Sequence, residues 1–264
     1  MDLQLDGKTV LVTGASKGIG YACALGFAAE GCNLHLASRN AAELESAREK
    51  ILASHKVRVN CHALDLGLTD NVLKLAKACA DADILINNAG AIPSGRIDQI
   101  DDATWRHAWD LKVFGYINLT REIYAVMKAR RAGVIVNVIG VAGERHRPEY
   151  IAGTTGNAGL IAFTRALGAE SVDHHVRVVG INPGRVLTER QIGHMKESAL
   201  RRFGDESRWK EALAEISKTL PFGRPARPDE TADLVVYTAS ARASYLSGTV
   251  ITLDGGQSLR ARAT

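Results

Sequence analysis

The sequence predicts an α/β fold: a doubly wound parallel sheet of about seven strands, sandwiched between helices in three α/β/α layers. Three observations carry that prediction. Short β-branched runs alternate with helical stretches from end to end. Several of the runs are apolar at successive positions, as strands covered on both faces are. A glycine-rich segment, Thr13-Gly14-Ala15-Ser16-Lys17-Gly18-Ile19-Gly20, joins the first run to the first helical stretch.

In chain order, strands are expected at residues 9–13, 33–37, 57–61, 83–87, 134–138 and 176–181, with a seventh at 250–253. The first helix is expected over 19–30, and Gly31 ends it because glycine accepts the left-handed conformation there. Further helices are expected over 104–130 and 150–172. The stretches between strands have crossover length, so repeated βαβ units follow. No linker, repeat or low-complexity block divides the chain, and residues 1–264 read as one domain. Residues 185–228 are its irregular part. Within them Trp209, Leu213, Ile216 and Leu220 fall at helical spacing and mark a short amphipathic helix, which the proline-rich stretch 221–228 ends. This segment follows the carboxyl end of the sixth strand, where α/β sheets bind ligands, and is expected to serve as a mobile substrate lid.

A net charge of +4 suits an anionic cofactor or substrate. It is too weak and dispersed to imply a nucleic-acid partner. The four cysteines, Cys23, Cys32, Cys61 and Cys79, show neither C-x-x-C nor metal-like spacing with histidine. No metal is therefore expected, and free thiols in a reducing compartment are. The acidic amino terminus has no apolar signal core, and no apolar run reaches membrane-spanning length. The expectation is a cytoplasmic protein without a membrane partner.

Glycines at 14, 18 and 20, between a strand and a helix, form a phosphate-cradling loop. They permit a tight turn and let backbone N–H groups approach a pyrophosphate, while the helix N-terminus favours negative charge. An NAD-selective site places a carboxylate at the end of the second strand to hold the ribose 2′-hydroxyl. Here that position is Ser38, followed by Arg39, and Lys17 lies in the loop. Two cations suit a 2′-phosphate, so NADP(H) is expected over NAD(H).

With these residues the chain resembles the short-chain dehydrogenase/reductase family, single-domain Rossmann-type oxidoreductases whose loop reads T-G-x-x-x-G-x-G. The resemblance spans essentially the whole chain. Asn87-Asn88-Ala89-Gly90 matches a second family signature, and Asp65-Leu66 matches the position that meets the adenine ring. Asn182-Pro183-Gly184, with Val186 and Thr188, matches the segment flanking the nicotinamide. Leu253-Asp254-Gly255-Gly256 matches the usual last strand and turn. The resemblance implies an NADP(H) site including Gly14, Ser16, Lys17, Gly18, Ile19 and Gly20, and a homotetramer or homodimer.

It also implies an Asn-Ser-Tyr-Lys tetrad that this chain lacks. The flanking matches place Gly140 at the serine, Gly153 at the tyrosine, Asn157 at the lysine and Lys112 at the asparagine. Asparagine and lysine have in effect changed places with a cation. Lys112 is thus expected to project into the cleft near Asn157, with a solvent-directed Lys112 as the alternative. Trp105, Ala108, Trp109, Lys112 and Tyr116 share one helical face and favour the inward placement. His146 and Tyr150 are the other candidate substitutes, and Arg145 and Arg147 are candidates to bind a carboxylate.

Three functions remain open at this stage. The first is an oxidoreductase acting on a small carbonyl or hydroxyl compound, neutral or anionic, through a non-standard site. The second is a catalytically silent cofactor-binding regulator or partner subunit. The third is a lyase or hydrolase reusing the pocket.

Overall fold

Seven parallel strands form one sheet in the order β3-β2-β1-β4-β5-β6-β7 in the computed structural model, which describes residues 1–260. The last four residues of the expected 1–264 unit lie outside that range. The strands are β1 (Thr9–Thr13), β2 (Asn33–Ser38), β3 (Val59–Ala63), β4 (Ile84–Asn87), β5 (Gly133–Val138), β6 (Val176–Pro183) and β7 (Thr249–Leu253). Every residue of β1 and β4 is buried, and so is most of β6, which explains their continuous apolar character. The order reverses between β1 and β4, and the crevice outside their carboxyl ends is where doubly wound sheets take ligands.

One strand sits away from its expected place. β3 begins two residues later than the expected 57–61, with Leu34 opposite Val59 and Ala37 opposite His62. It is an edge strand of mixed burial, so its apolar pattern marks it weakly.

Helices α1 (Gly18–Ala29), α2 (Ala41–Leu52) and α9 (Pro228–Ala239) contribute to one core cluster, with Phe27, Leu44, Ile51 and Val235 fully buried. The opposite face is covered by α3 (Thr69–Ala78), α5 (Gly115–Arg130) and α6 (Ile151–Glu170), through Leu75, Leu119, Ile123 and Leu160 among others. The single helix expected over 104–130 is broken in two. α4 (Asp102–Trp109) and α5 are joined by one widened, π-type turn over Asp110–Phe114, where Gly115 N–H bonds back to the Asp110 carbonyl. Gly115 packs against the backbone of Leu66 there.

The stretch 185–228 is more regular than expected. It contains α7 (Glu189–Phe203), capped by the Thr188 hydroxyl, which accepts from Gln191 N–H at 3.3 Å, and α8 (Trp209–Ser217). α7 begins just beyond the end of β6 and brings Arg190 back to the loop after β4. The Arg190 guanidinium donates to the carbonyls of Gly90, at 3.2 Å, and Ile92, at 2.6 Å.

Candidate active site

A groove at the carboxyl ends of the central strands collects residues from both halves of the sheet. From the loop after β1 come Gly14, Ser16, Lys17, Gly18 and Ile19, and from the end of β2 come Ser38 and Arg39. Leu66, Asn88, Ala89 and Gly90 line it after β3 and β4, and Pro183 and Thr188 after β6. Lys112, Tyr150 and Arg190 stand at the same groove.

The glycine loop is as tightly packed as a phosphate cradle needs to be. A Cβ on Gly20 would collide with the Gly14 carbonyl, so only glycine allows the helix to start this close to the turn. Thr13 ties the loop to the next segment: its hydroxyl accepts from Asn88 N–H at 2.9 Å and Ala89 N–H at 3.1 Å. Gly20 therefore shapes the groove from beneath. Asp65, Gly184 and Val186 also stand outside the lining. Asp65 instead accepts from Gly67 N–H at 3.0 Å and shapes the turn that presents Leu66.

At the end of β2 the charge pattern differs from the expectation of two free cations. Lys17 Nζ donates to Glu43 Oε1 at 3.1 Å, and Ser16 Oγ donates to Glu43 Oε2 at 3.0 Å. Those two bonds hold the Glu43 carboxyl below its usual range. Glu43 stands at the first turn of α2, where Asn40 caps its N–H, so the sequence signal was a capping pattern that also delivers a carboxylate. Lys17 is thus partly neutralised. Arg39 is exposed and forms no ion pair among the described residues, leaving it as the cation available to a 2′-phosphate.

Lys112 points inward, in the widened turn between α4 and α5. It is buried, at 8% exposure. Its stem crosses Gly90, where an added Cβ would lie 2.6 Å from Lys112 Cδ. The ammonium donates to Tyr116 Oη at 2.7 Å and to the Val138 carbonyl at 2.8 Å. Burial, with a smaller push from the Arg190 cation, lowers its pKa to about 7. The expected contact with Asn157 is not made. Asn157 Nδ2 donates instead to the Gly140 carbonyl at 3.3 Å, and Asn157 Oδ1 is buried without a partner.

Tyr150 stands immediately before α6, held by the pairing of its segment with Gly95: Gly95 N–H donates to the Glu149 carbonyl at 2.8 Å. Its ring packs against the buried cluster of Ile92, Ile100, Ala108 and Ala152, as Trp105 and Trp109 also do. A Cβ built on Gly153 would collide with Cε1 and Cζ of the Tyr150 ring. The phenol therefore occupies the volume that a side chain at 153 would enter. Burial raises the Tyr150 pKa above that of an ordinary phenol, while the Arg190 and Arg147 cations oppose the shift. His146 is exposed and does not line the groove, so the structure does not bring this candidate to the site.

Comparison with known proteins decides the family. The family model for short chain dehydrogenases matches residues 8–198. Galactitol 2-dehydrogenase (L-tagatose-forming) of Cereibacter sphaeroides is 33% identical over 255 residues, covering 96% of each chain. The chain belongs to the short-chain dehydrogenase family. Another short-chain dehydrogenase relative, the NADPH-dependent reductase BacG of Bacillus subtilis, is 30% identical over 94% of this chain and 97% of its own. Among solved structures, L-sorbose reductase from Gluconobacter frateurii, complexed with NADPH and L-sorbose, superposes with a TM-score of 0.92. It is 32% identical and covers 97% of this chain and 98% of that one.

At position 140, where the resemblance implied a serine, the backbone favours glycine. Gly140 has φ of +136°, a conformation that any side chain, serine included, would strain. Its N–H donates to Asn182 Oδ1 at 3.3 Å. Arg190 lines the same groove as Lys112 and Tyr150, a placement that depends on a fold-back of α7 that no local pattern in the sequence announces.

Proposed function

We propose that this protein is an NADP(H)-dependent oxidoreductase that reduces a small hydroxylated carbonyl compound, with Tyr150 delivering the proton in place of a tyrosine at 153. The observation that carries the reading is the Tyr150 ring filling the space over Gly153. The cofactor fits the groove: Gly14 and Gly18 hold positive φ in the turn, Gly20 leaves no room for a side chain beneath it, and Arg39 is a cation beside Ser38 without an ion pair among the described residues. Two of the relatives named above act, by their names, on a polyol–ketose pair or on L-sorbose, and two are named with NADPH.

NADPH held by the glycine cradle and Arg39 would supply the hydride to the carbonyl carbon. Tyr150 gives its phenolic proton to the carbonyl oxygen, completing the alcohol. Lys112 lines the same groove, and its pKa of about 7 suits it to exchange a proton near neutrality. Burial raises the Tyr150 pKa, so the group is a neutral phenol at neutral pH, with a proton to give. Arg190 and Arg147 face the same phenol and stabilise its anion, and they suit a substrate bearing a carboxylate or phosphate as well. Residues 185–228, with α7 and α8, would close over the bound substrate.

The test is NADPH oxidation against L-sorbose, L-tagatose, simple ketones and keto acids, with wild-type protein and with Tyr150→Phe. Loss of the proton donor should lower kcat by about 10²–10⁴ with NADPH affinity unchanged. Undiminished turnover in Tyr150→Phe would remove Tyr150 from the chemistry.

One observation favours a second reading, a silent cofactor-binding protein. The Lys112 ammonium already donates to two protein oxygens, as a structural cation would. Tight NADPH binding without turnover of any carbonyl in the panel would establish that alternative.

A further inference from the structure

Three side chains that the groove does not use meet near the β3 edge of the sheet. His35 comes from β2, His62 from β3, and Cys79 from the residue that ends α3. His35 Nδ1 lies 2.9 Å from His62 Nε2, and Cys79 Sγ lies 3.6 Å from the same Nε2. All three atoms fall within 4.8 Å of one another. On the far side of His35, Asp81 Oδ1 stands 3.2 Å from Nε2. We propose that these residues form a binding site for a zinc-type divalent metal ion, ligated by His35 Nδ1, His62 Nε2 and the Cys79 thiolate, with Asp81 orienting His35.

The pairing of β2 with β3 builds the site. Ala37 lies opposite His62 and His35 opposite Asn60, so the two histidines are diagonal neighbours on one face of the sheet. α3 runs back across that face and ends with Cys79 buried beneath them. His35 is buried and His62 is half-buried, leaving room on the His62 side for a water as fourth ligand.

Protons alone satisfy this cluster poorly. The Asp81 carboxylate, 3.2 Å from His35 Nε2, favours the tautomer with its hydrogen on that nitrogen, which leaves a lone pair on Nδ1. His62 Nε2 then faces both that lone pair and the Cys79 sulfur, yet it carries at most one hydrogen. A metal ion replaces the conflict with three converging lone pairs. Tetrahedral zinc with bonds of about 2.0–2.1 Å to nitrogen and 2.3 Å to sulfur separates two nitrogens by about 3.3 Å, and nitrogen from sulfur by about 3.6 Å. The Cys79 Sγ–His62 Nε2 distance already matches, the two imidazole nitrogens would open by about 0.4 Å, and the Cys79 Sγ–His35 Nδ1 distance, within 4.8 Å, would settle near about 3.6 Å.

Two imidazoles with one thiolate select a borderline-soft ion, not magnesium or calcium, which require oxygen ligands. A carboxylate on the outer nitrogen of a ligating histidine is the usual support for such an ion. On binding, the Cys79 S–H proton passes to solvent, and any hydrogen on His62 Nε2 moves to the other ring nitrogen. No oxidation is involved. None of the four residues lines the cofactor groove, although Ala37 and Ser38 of β2 and Leu64 just after β3 do. The site thus stands independently of the proposed reduction.

The experiment is a titration of chelator-stripped full-length protein with Co²⁺ alone, followed by competition with Zn²⁺. Expected are one equivalent bound per chain, intense tetrahedral d–d bands and a thiolate-to-cobalt charge-transfer band, all bleached by Zn²⁺. Cys79→Ala should erase the charge-transfer band. Asp81→Asn, at an exposed position that leaves the core intact, should weaken affinity about 10–100-fold. Stoichiometry below one, or bands that survive Cys79→Ala in a protein still folded by circular dichroism, would overturn the proposal. Affinity unchanged in Asp81→Asn would overturn the orienting role.

Discussion

At Lys112 the cost of burying a cation becomes a measurable dependence of stability on pH. The folded chain releases this proton at about pH 7, well below the ordinary lysine value of 10.5. Between those values the unfolded chain holds more protons than the folded one, so the contribution of this group to stability rises with pH. Below about pH 7 the full penalty stands, on the order of a few kcal/mol. Lys112→Met removes it while Tyr116 Oη continues to donate to the Val138 carbonyl at 2.9 Å. We expect Lys112→Met to raise the Tm most at pH 6 and to lose that advantage by pH 10, as thermal melts across pH would record. A uniform loss of Tm would show that the ammonium bonds outweigh desolvation. Gly153 gives a second test at this scale. Gly153→Ala drives a methyl into the Tyr150 ring and should cost about 1–3 kcal/mol by overpacking, read as a lower urea midpoint. The inward lysine was legible in the sequence, because Trp105, Ala108, Trp109, Lys112 and Tyr116 kept helical spacing. Tyr150 was a candidate in the sequence beside His146, but its placement over Gly153 was not legible, because Tyr150 precedes α6 and only the backbone turn at 150 aims its ring there.

Among the elements, strands with apolar residues on both faces were readable, and edge strand β3 and helix α7 were less so. α7 buries only Met195 and Ala199 and carries Gly193 within it, so a charged helix resting on one narrow stripe resembled an irregular lid. The widened turn before α5 leaves no mark in side-chain spacing, although it sets where Lys112 points. Elements that pack on the sheet are also fastened by a buried polar chain that periodicity cannot reveal. Asn87 Nδ2 on β4 donates to Thr120 Oγ1 on α5 and to Asn137 Oδ1 on β5, both at 2.9 Å; Asn137 Nδ2 donates to Thr164 Oγ1 on α6 at 2.9 Å. Asn137→Leu leaves both neighbours short of a partner in a dry interior. It should lower unfolding stability by about 1–3 kcal/mol without changing NADPH affinity, as urea melts and cofactor titration together would establish. An effect below about 0.5 kcal/mol would mean that the chain is not a fastening. Arg190 tests the coupling between α7 and the site. Arg190→Gln removes a cation that presses on Lys112, so the titration of Lys112 should move to higher pH. An NMR-detected lysine titration that stays in place would place Arg190 too far away to matter.

For the molecule as a whole, the two halves of the sheet meet at the reversal between β1 and β4, so a ligand seated there stabilises the entire fold. A ligand that binds only the native state at 100 times its Kd adds about 2.7 kcal/mol. For a chain of this size that corresponds to a rise in Tm of about 5–10 °C. The size of the rise reports affinity whether or not the chain turns substrate over, which makes it the cleanest measure of cofactor choice. Arg39 is free and Lys17 is paired with Glu43, so selectivity for the 2′-phosphate rests chiefly on Arg39. We expect NADPH to raise the Tm more than NADH at equal concentration, and Arg39→Ala to erase most of the difference. Glu43→Gln should act in the opposite sense. It removes the carboxylate that competes with the phosphate for Lys17 and Ser16, and so should widen the gap between the two cofactors. The widened gap should shrink again as salt is raised, because Lys17 is more than half exposed and its charge is screened. Equal shifts with NADPH and NADH in the unaltered protein would sink the NADP(H) assignment. A Glu43→Gln protein that gains equally with both cofactors would show that Glu43 acts on the shape of the loop and not on its charge.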